Sequence, residues 1–169
     1  MPKVICGFVG GDTLIDKVIE GVSGAQQEDI SHSFIMLFGR PYESEGIKEP
    51  DAPYPGVWFS RRGKYNGNAH VKYVAVEVPD LQTLEDRSFE LLGTLYGYTD
   101  CISTGIKLLT GADILVDGSK TMMCSETITR LLRAGGLDIR PDLAADQVSP
   151  IALYNELMYS FSGELVEHP

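Results

Sequence analysis

The sequence predicts an α+β fold, a mainly antiparallel sheet with helices packed against it. Three observations lead there. Segments with strand alternation cluster in the first half of the chain, and segments with helical periodicity dominate the second. The composition is that of an ordinary globular protein, 43% hydrophobic and 22% charged. Its 169 residues are enough to bury a core without disulfides or a structural metal. The expected layout is a single domain over residues 1–162 and a loose tail over 163–169.

The elements follow in order. Residues 3–9 read as a strand. Residues 12–21 read as a short helix, with Asp12 at its N-cap and Leu14, Ile15, Val18 and Ile19 on its apolar side. Residues 32–38 form a strand apolar on both faces, hence buried on both. Residues 39–56 carry Pro41, Pro50, Pro53 and Pro55 with Glu43, Glu45, Glu49 and Asp51 among them. That density of proline and acid predicts a long loop, either a lid or rim over a site or an exposed insertion.

Residues 57–60 are a short strand and residues 71–78 another, with Val74, Val76 and Val78 on one face and Tyr73, Ala75 and Glu77 on the other. Pro79-Asp80 opens a helix running to about Leu95. Residues 100–109 predict a second helix, and residues 114–116 a small strand or extended turn. Residues 124–134 predict a helix striped by Ile128, Leu131 and Leu132 and stopped by Gly135-Gly136. Ser149 caps the last helix, and Pro150 takes its first position.

Lys and Arg total 14 against 24 Asp and Glu, for a net charge of −10. Such a chain repels phosphate backbones, which argues against nucleic-acid binding. No run approaches the ~18 to 20 apolar residues of a membrane span. The three cysteines, Cys6, Cys101 and Cys124, are neither a disulfide framework nor a Cys-x-x-Cys pair. Reduced thiols and a cytoplasmic setting are expected, with no signal peptide or lipoprotein anchor.

Cys124 carries the chemistry. It stands where Asp117-Gly118-Ser119 gives way to a patterned helix. In a first turn it faces unpaired N–H groups and the positive helix end, which favour the thiolate. His32 heads an otherwise apolar strand and could act as general base toward a thiol. His70 lies beside the turn at Asn66-Gly67-Asn68, and His168 is almost terminal. Metal-binding histidine spacing is absent, so neither a metal nor another cofactor is expected.

Several segments together resemble the circularly permuted papain-like hydrolases of the NlpC-type superfamily. The nearest branch is the YiiX-like proteins, related to the lecithin:retinol acyltransferase group. Gly11-Asp12-Thr13-Leu14-Ile15 resembles the opening Gly-Asp-Leu-Ile element. Ser31-His32-Ser33-Phe34-Ile35 resembles the strand bearing the catalytic histidine. Gly97-Tyr98-Thr99-Asp100 is similar to the Gly-x-Tyr-Asp segment. Met123-Cys124-Ser125-Glu126 resembles the nucleophile motif, and Ser149-Pro150 the closing helix start. Histidine before cysteine is the permuted order.

The resemblance implies a permuted papain-like fold and a cysteine hydrolase or acyl-transfer enzyme. Cys124 would be nucleophile and His32 general base, with a thioester intermediate. Tyr98, Ser31 and Ser125 would border the substrate, and the acidic surface tilts its class toward a peptide or small amide over a lipid. The family places a polar orienter on the strand after the histidine strand. The matching position is Ser60, a weak orienter, so Glu77, His70, a water or no third member remain open. The alternative is a binding module that retains the fold without strong catalysis. Oligomeric state is left open.

Overall fold

The computed structural model describes residues 1–10, 30–97 and 121–167. Lys3–Gly10 forms β1, around which the sheet is arranged. Ile30–Leu37 (β2) and Val71–Glu77 (β5) flank it, both antiparallel. Arg40–Glu45 (β3), Gly56–Phe59 (β4), Leu95–Tyr96 (β6) and Thr121–Met122 (β7) extend the sheet beyond β2, and Glu164–Val166 (β8) pairs with β5. The eight strands run β7-β6-β4-β3-β2-β1-β5-β8, antiparallel except where β6 meets β7. This is the α+β architecture that the sequence predicts.

The described residues contain three α-helices: α1 (Leu81–Leu91), α2 (Cys124–Ala134) and α3 (Pro150–Tyr159). Asp80 caps α1 by accepting from the Thr83 N–H at 2.9 Å. Ser149 caps α3 by accepting from the Ala152 N–H at 3.2 Å, with Pro150 at the first helical position. Their apolar stripes bury Leu84, Ile128, Leu131, Leu132, Leu153 and Leu157 against Val74, Val76 and Val78 of and beside β5 and Ile35 and Leu37 of β2. Each such side chain contributes about 1.5–3 kcal/mol by leaving water.

The other face of the sheet is covered more thinly. Phe34, Tyr65 and Tyr73 form a small cluster there. Phe34 stacks on Tyr65, with centroids 4.2 Å apart and planes within 5°. Its ring lies over Gly7, where a Cβ would come 2.0 Å from the Phe34 ring.

Four expectations are corrected. The segment 39–56 is not all loop, because its first part is β3. Phe38 (φ 52°) and Gly39 (φ 69°) form a tight turn with both residues left-handed, the geometry that joins two antiparallel strands directly. Pro41 is tolerated because it comes second in the strand, beside the turn. The helix expected to reach Leu95 stops at Leu91, since Gly93 turns at φ 82° and Leu95 joins β6. The tail from Gly163 is partly ordered as β8, with the Gly163 N–H donating to the Leu157 carbonyl at 2.8 Å. The strand of residues 32–38 begins earlier, at Ile30, and ends at Leu37. The elements expected at 12–21, 100–109 and 114–116 lie outside the described residues.

Candidate active site

Cys124 is the first residue of α2, after Met123 in extended conformation at the N-cap. Methionine has no oxygen to cap a helix, so Glu126 supplies the cap. Its Oε2 accepts from the Met123 N–H at 3.3 Å, and its Oε1 accepts from Arg130 Nη2 at 2.8 Å. Burial raises the Glu126 pKa, against the pull of Arg130. Ser44 Oγ donates to the Met122 carbonyl at 2.7 Å and ties the lead-in to β3.

The helix start packs against β2 and β3. Their ladder pairs Leu37 with Arg40, Met36 with Pro41 and Ile35 with Tyr42, and ends there. Beyond that point the Ser33 backbone N–H donates to the Cys124 sulfur, as does the Ser125 N–H. His32, one residue before Ser33, is hydrogen-bonded to the same sulfur. Its Nε2 is engaged by Glu43 Oε2 at 2.7 Å, which leaves Nδ1 as the ring nitrogen for the thiol.

Glu43 comes from β3 and is 1% exposed. Its Oε2 accepts from His32 Nε2 and from the Tyr65 hydroxyl at 2.6 Å, and its Oε1 accepts from Lys64 Nζ at 2.9 Å and from Ser60 Oγ. Four donors occupy the lone pairs of one carboxylate, and none remains unmet. Lys64 also pairs with Glu45 and, at 2.7 Å, with Glu49. Glu45 Oε1 stands 3.6 Å from His32 Nε2.

Electrostatics follow from this packing. Burial resists ionisation of Glu43, yet His32, Lys64 and Ser60 outweigh it and hold the carboxyl well below its usual range. Burial also opposes a charged His32, but Cys124 and then Glu43 lift its pKa well above the ordinary 6.5. The Cys124 thiol is lowered: burial resists, while His32 and the N–H groups of Ser33 and Ser125 prevail. These directions favour a thiolate facing an imidazolium. Cys6, by contrast, is buried without partners of this kind, and its thiol is pushed up to about 12.

Of the residues singled out from sequence, Cys124 and His32 come together. Ser60 reaches Glu43, not the ring. Glu77 is the main correction. It is exposed and sits opposite Lys3, at the far end of β5 from Val71, whose neighbour Val9 pairs with His32. Six residue steps of strand separate those ends, on the order of 20 Å. His70 is exposed, and its N–H donates to Asn68 Oδ1 at 2.9 Å. Ser31 Oγ turns to the Val9 carbonyl at 3.5 Å. Ser125 is 2% exposed, so its backbone N–H and not its hydroxyl serves the site. Tyr98 lies outside the described residues.

Glu43 is the residue that sequence reasoning missed. The alternation Pro41, Tyr42, Glu43, Ser44 holds its only signal, masked by the proline and by three glutamates in seven residues. His32, Glu43 and Glu45 place ligand atoms within 4.8 Å of one another, a set that could hold a metal ion. The Lys64 ammonium already pairs with both of those carboxylates, so a metal would have to displace it. No helix among the described residues is long and apolar enough to cross a membrane. No protein-family model matches the chain, and no curated protein matches it.

Proposed function

We propose that the protein is a cysteine hydrolase or acyl-transfer enzyme of the permuted papain-like type, working on an amide or ester through Cys124 and His32. The observation that carries this reading is the series Cys124, His32, Glu43: a sulfur hydrogen-bonded to a ring whose far nitrogen is 2.7 Å from a buried carboxylate. In this mechanism the thiolate attacks the carbonyl carbon, and the helix-start N–H groups hold the developing oxyanion. The His32 imidazolium passes its proton to the leaving nitrogen or oxygen, leaving a thioester on Cys124. Neutral His32 then takes a proton from water or another acceptor, which attacks the thioester and restores the thiolate.

Glu43 orients the ring and favours its charged form, the part for which the sequence offered only Ser60 or Glu77. A binding module without catalysis drew its support from the lack of such a residue, and Glu43 removes that support. The acidic surface, net −10, favours a peptide or small amide over an anionic lipid. Free thiols at Cys6 and Cys124 suit a reducing, cytoplasmic setting.

Iodoacetamide at neutral pH tests the reading. Cys124 is expected to be alkylated well ahead of Cys6 and Cys101, as read by peptide mapping, and His32→Ala to slow Cys124 by tenfold or more. Three equally slow thiols in the folded protein would overturn it.

A further inference from the structure

We propose that Lys64 is a positioning residue that assigns His32 to Glu43, by occupying the competing carboxylate of Glu45. The inference rests on the catalytic reading of Cys124 and His32, and concerns a residue outside that pair.

Three carboxylates converge on one ammonium. Lys64 Nζ lies 2.9 Å from Glu43 Oε1 and 2.7 Å from Glu49 Oε1, and it also pairs with Glu45 Oε1. An ammonium has three N–H donors, so each carboxylate takes one. The carrier is well fixed. Lys64 N–H donates to the Arg61 carbonyl at 3.3 Å, Asn66 N–H to the Gly63 carbonyl at 3.0 Å, and Gly63 turns at φ 70°. The ammonium also lies 5.2 Å from the centre of the Tyr65 ring, and Tyr65 itself donates to Glu43.

Glu45 is the competitor. It follows Glu43 by two residues along β3, so both project to the same face. Its Oε1 is 3.6 Å from His32 Nε2, against 2.7 Å for Glu43 Oε2. Glu45 is also the more exposed, 22% against 1%, and so the freer to move. Without Lys64, the cationic group that Glu45 has left within reach among the described residues is the His32 ring itself. A ring hydrogen-bonded to Glu45 would turn its other nitrogen away from the sulfur.

The charged and titratable groups facing the pair come from every neighbouring element. They are His32 of β2, Glu43 and Glu45 of β3, Glu49 beyond it, Lys64 and Tyr65 of the turn, and Cys124 of α2 with the Glu126–Arg130 pair behind it. Removing the Lys64 charge and loosening the ring both make the thiolate harder to form. Both therefore move the acid limb of Cys124 reactivity to higher pH.

The test is the pH dependence of Cys124 alkylation by iodoacetamide in the unaltered protein, Lys64→Met and Lys64→Met/Glu45→Gln. Lys64→Met is expected to raise the limb by about one pH unit, a tenfold slower reaction at its foot. The double variant is expected to recover at least half of that shift, which a merely structural role of Lys64 would not produce. Should Lys64→Met fail to fold, Lys64→Gln keeps two N–H donors without the charge and serves the same comparison. An unmoved limb in the single variant, or no recovery in the double, overturns the proposal. If Cys124 of the unaltered protein reacts as slowly as Cys6, the catalytic reading fails first. The His32 imidazole titration by NMR then decides: a midpoint shifted in Lys64→Met and returned in the double variant sustains the role of Lys64, and an unshifted one ends it.

Discussion

Glu43 is a buried anion that is tolerated because every lone pair has a donor, and a buried ion left without its partner is what proteins rarely sustain. Glu43→Gln presents an amide N–H to donors that need an acceptor. We expect about 3 kcal/mol of lost stability at neutral pH by urea titration, and a tenfold or greater slowing of Cys124 alkylation near pH 6. Glu77→Gln, at the exposed far end of β5, is expected to leave both unchanged. The pH dependence follows from the direction of the shift. The folded carboxyl ionises well below the ordinary 4.5, so it binds fewer protons folded than unfolded. Its stabilisation is complete above about 4.5 and is lost as pH falls toward the depressed folded value. Melts of the unaltered protein should steepen with acid below that point, and the gap to Glu43→Gln should narrow.

The elements that could be read from sequence carried their own punctuation. Residues 124–134 were bounded by a turn-prone lead-in and by Gly135-Gly136, and α2 spans Cys124–Ala134. The face shared by Val74, Val76 and Val78 was legible because strand alternation is local, and it is the face under the helices. β3 was illegible because its signals are non-local. What makes its glutamate a core residue is Lys64, Tyr65 and Ser60, supplied from beyond β4. The order histidine then cysteine was visible, whereas the acid between them required the fold. The cap of α2 was not read from the sequence, since Met123 has no oxygen to cap with and Glu126 does so from within the helix. Glu126→Gln weakens the bonds to the Met123 N–H and Arg130 and removes the charge from the positive end of the helix. It should cost about 1 kcal/mol in urea unfolding.

At the scale of the molecule, the sheet divides a thick helical layer from a thin aromatic one, and the candidate site takes a part from each. Cys124 comes with the helices, while Glu43 is held by the turn on the opposite face. The two layers meet where the β2–β3 ladder ends, so the site depends on both being packed. That gives Gly7 a consequence in genetics. It bears no functional group, but a methyl placed there would strike the Phe34 ring, and that ring is stacked on Tyr65, one of the four donors to Glu43. Random mutagenesis scored by activity alone should therefore flag Gly7 beside Cys124 and His32. Purified Gly7→Ala should reveal the difference by a melt lowered to match about 1–3 kcal/mol of overpacking, where Cys124→Ser, which leaves Glu43 its four donors, should lower it far less.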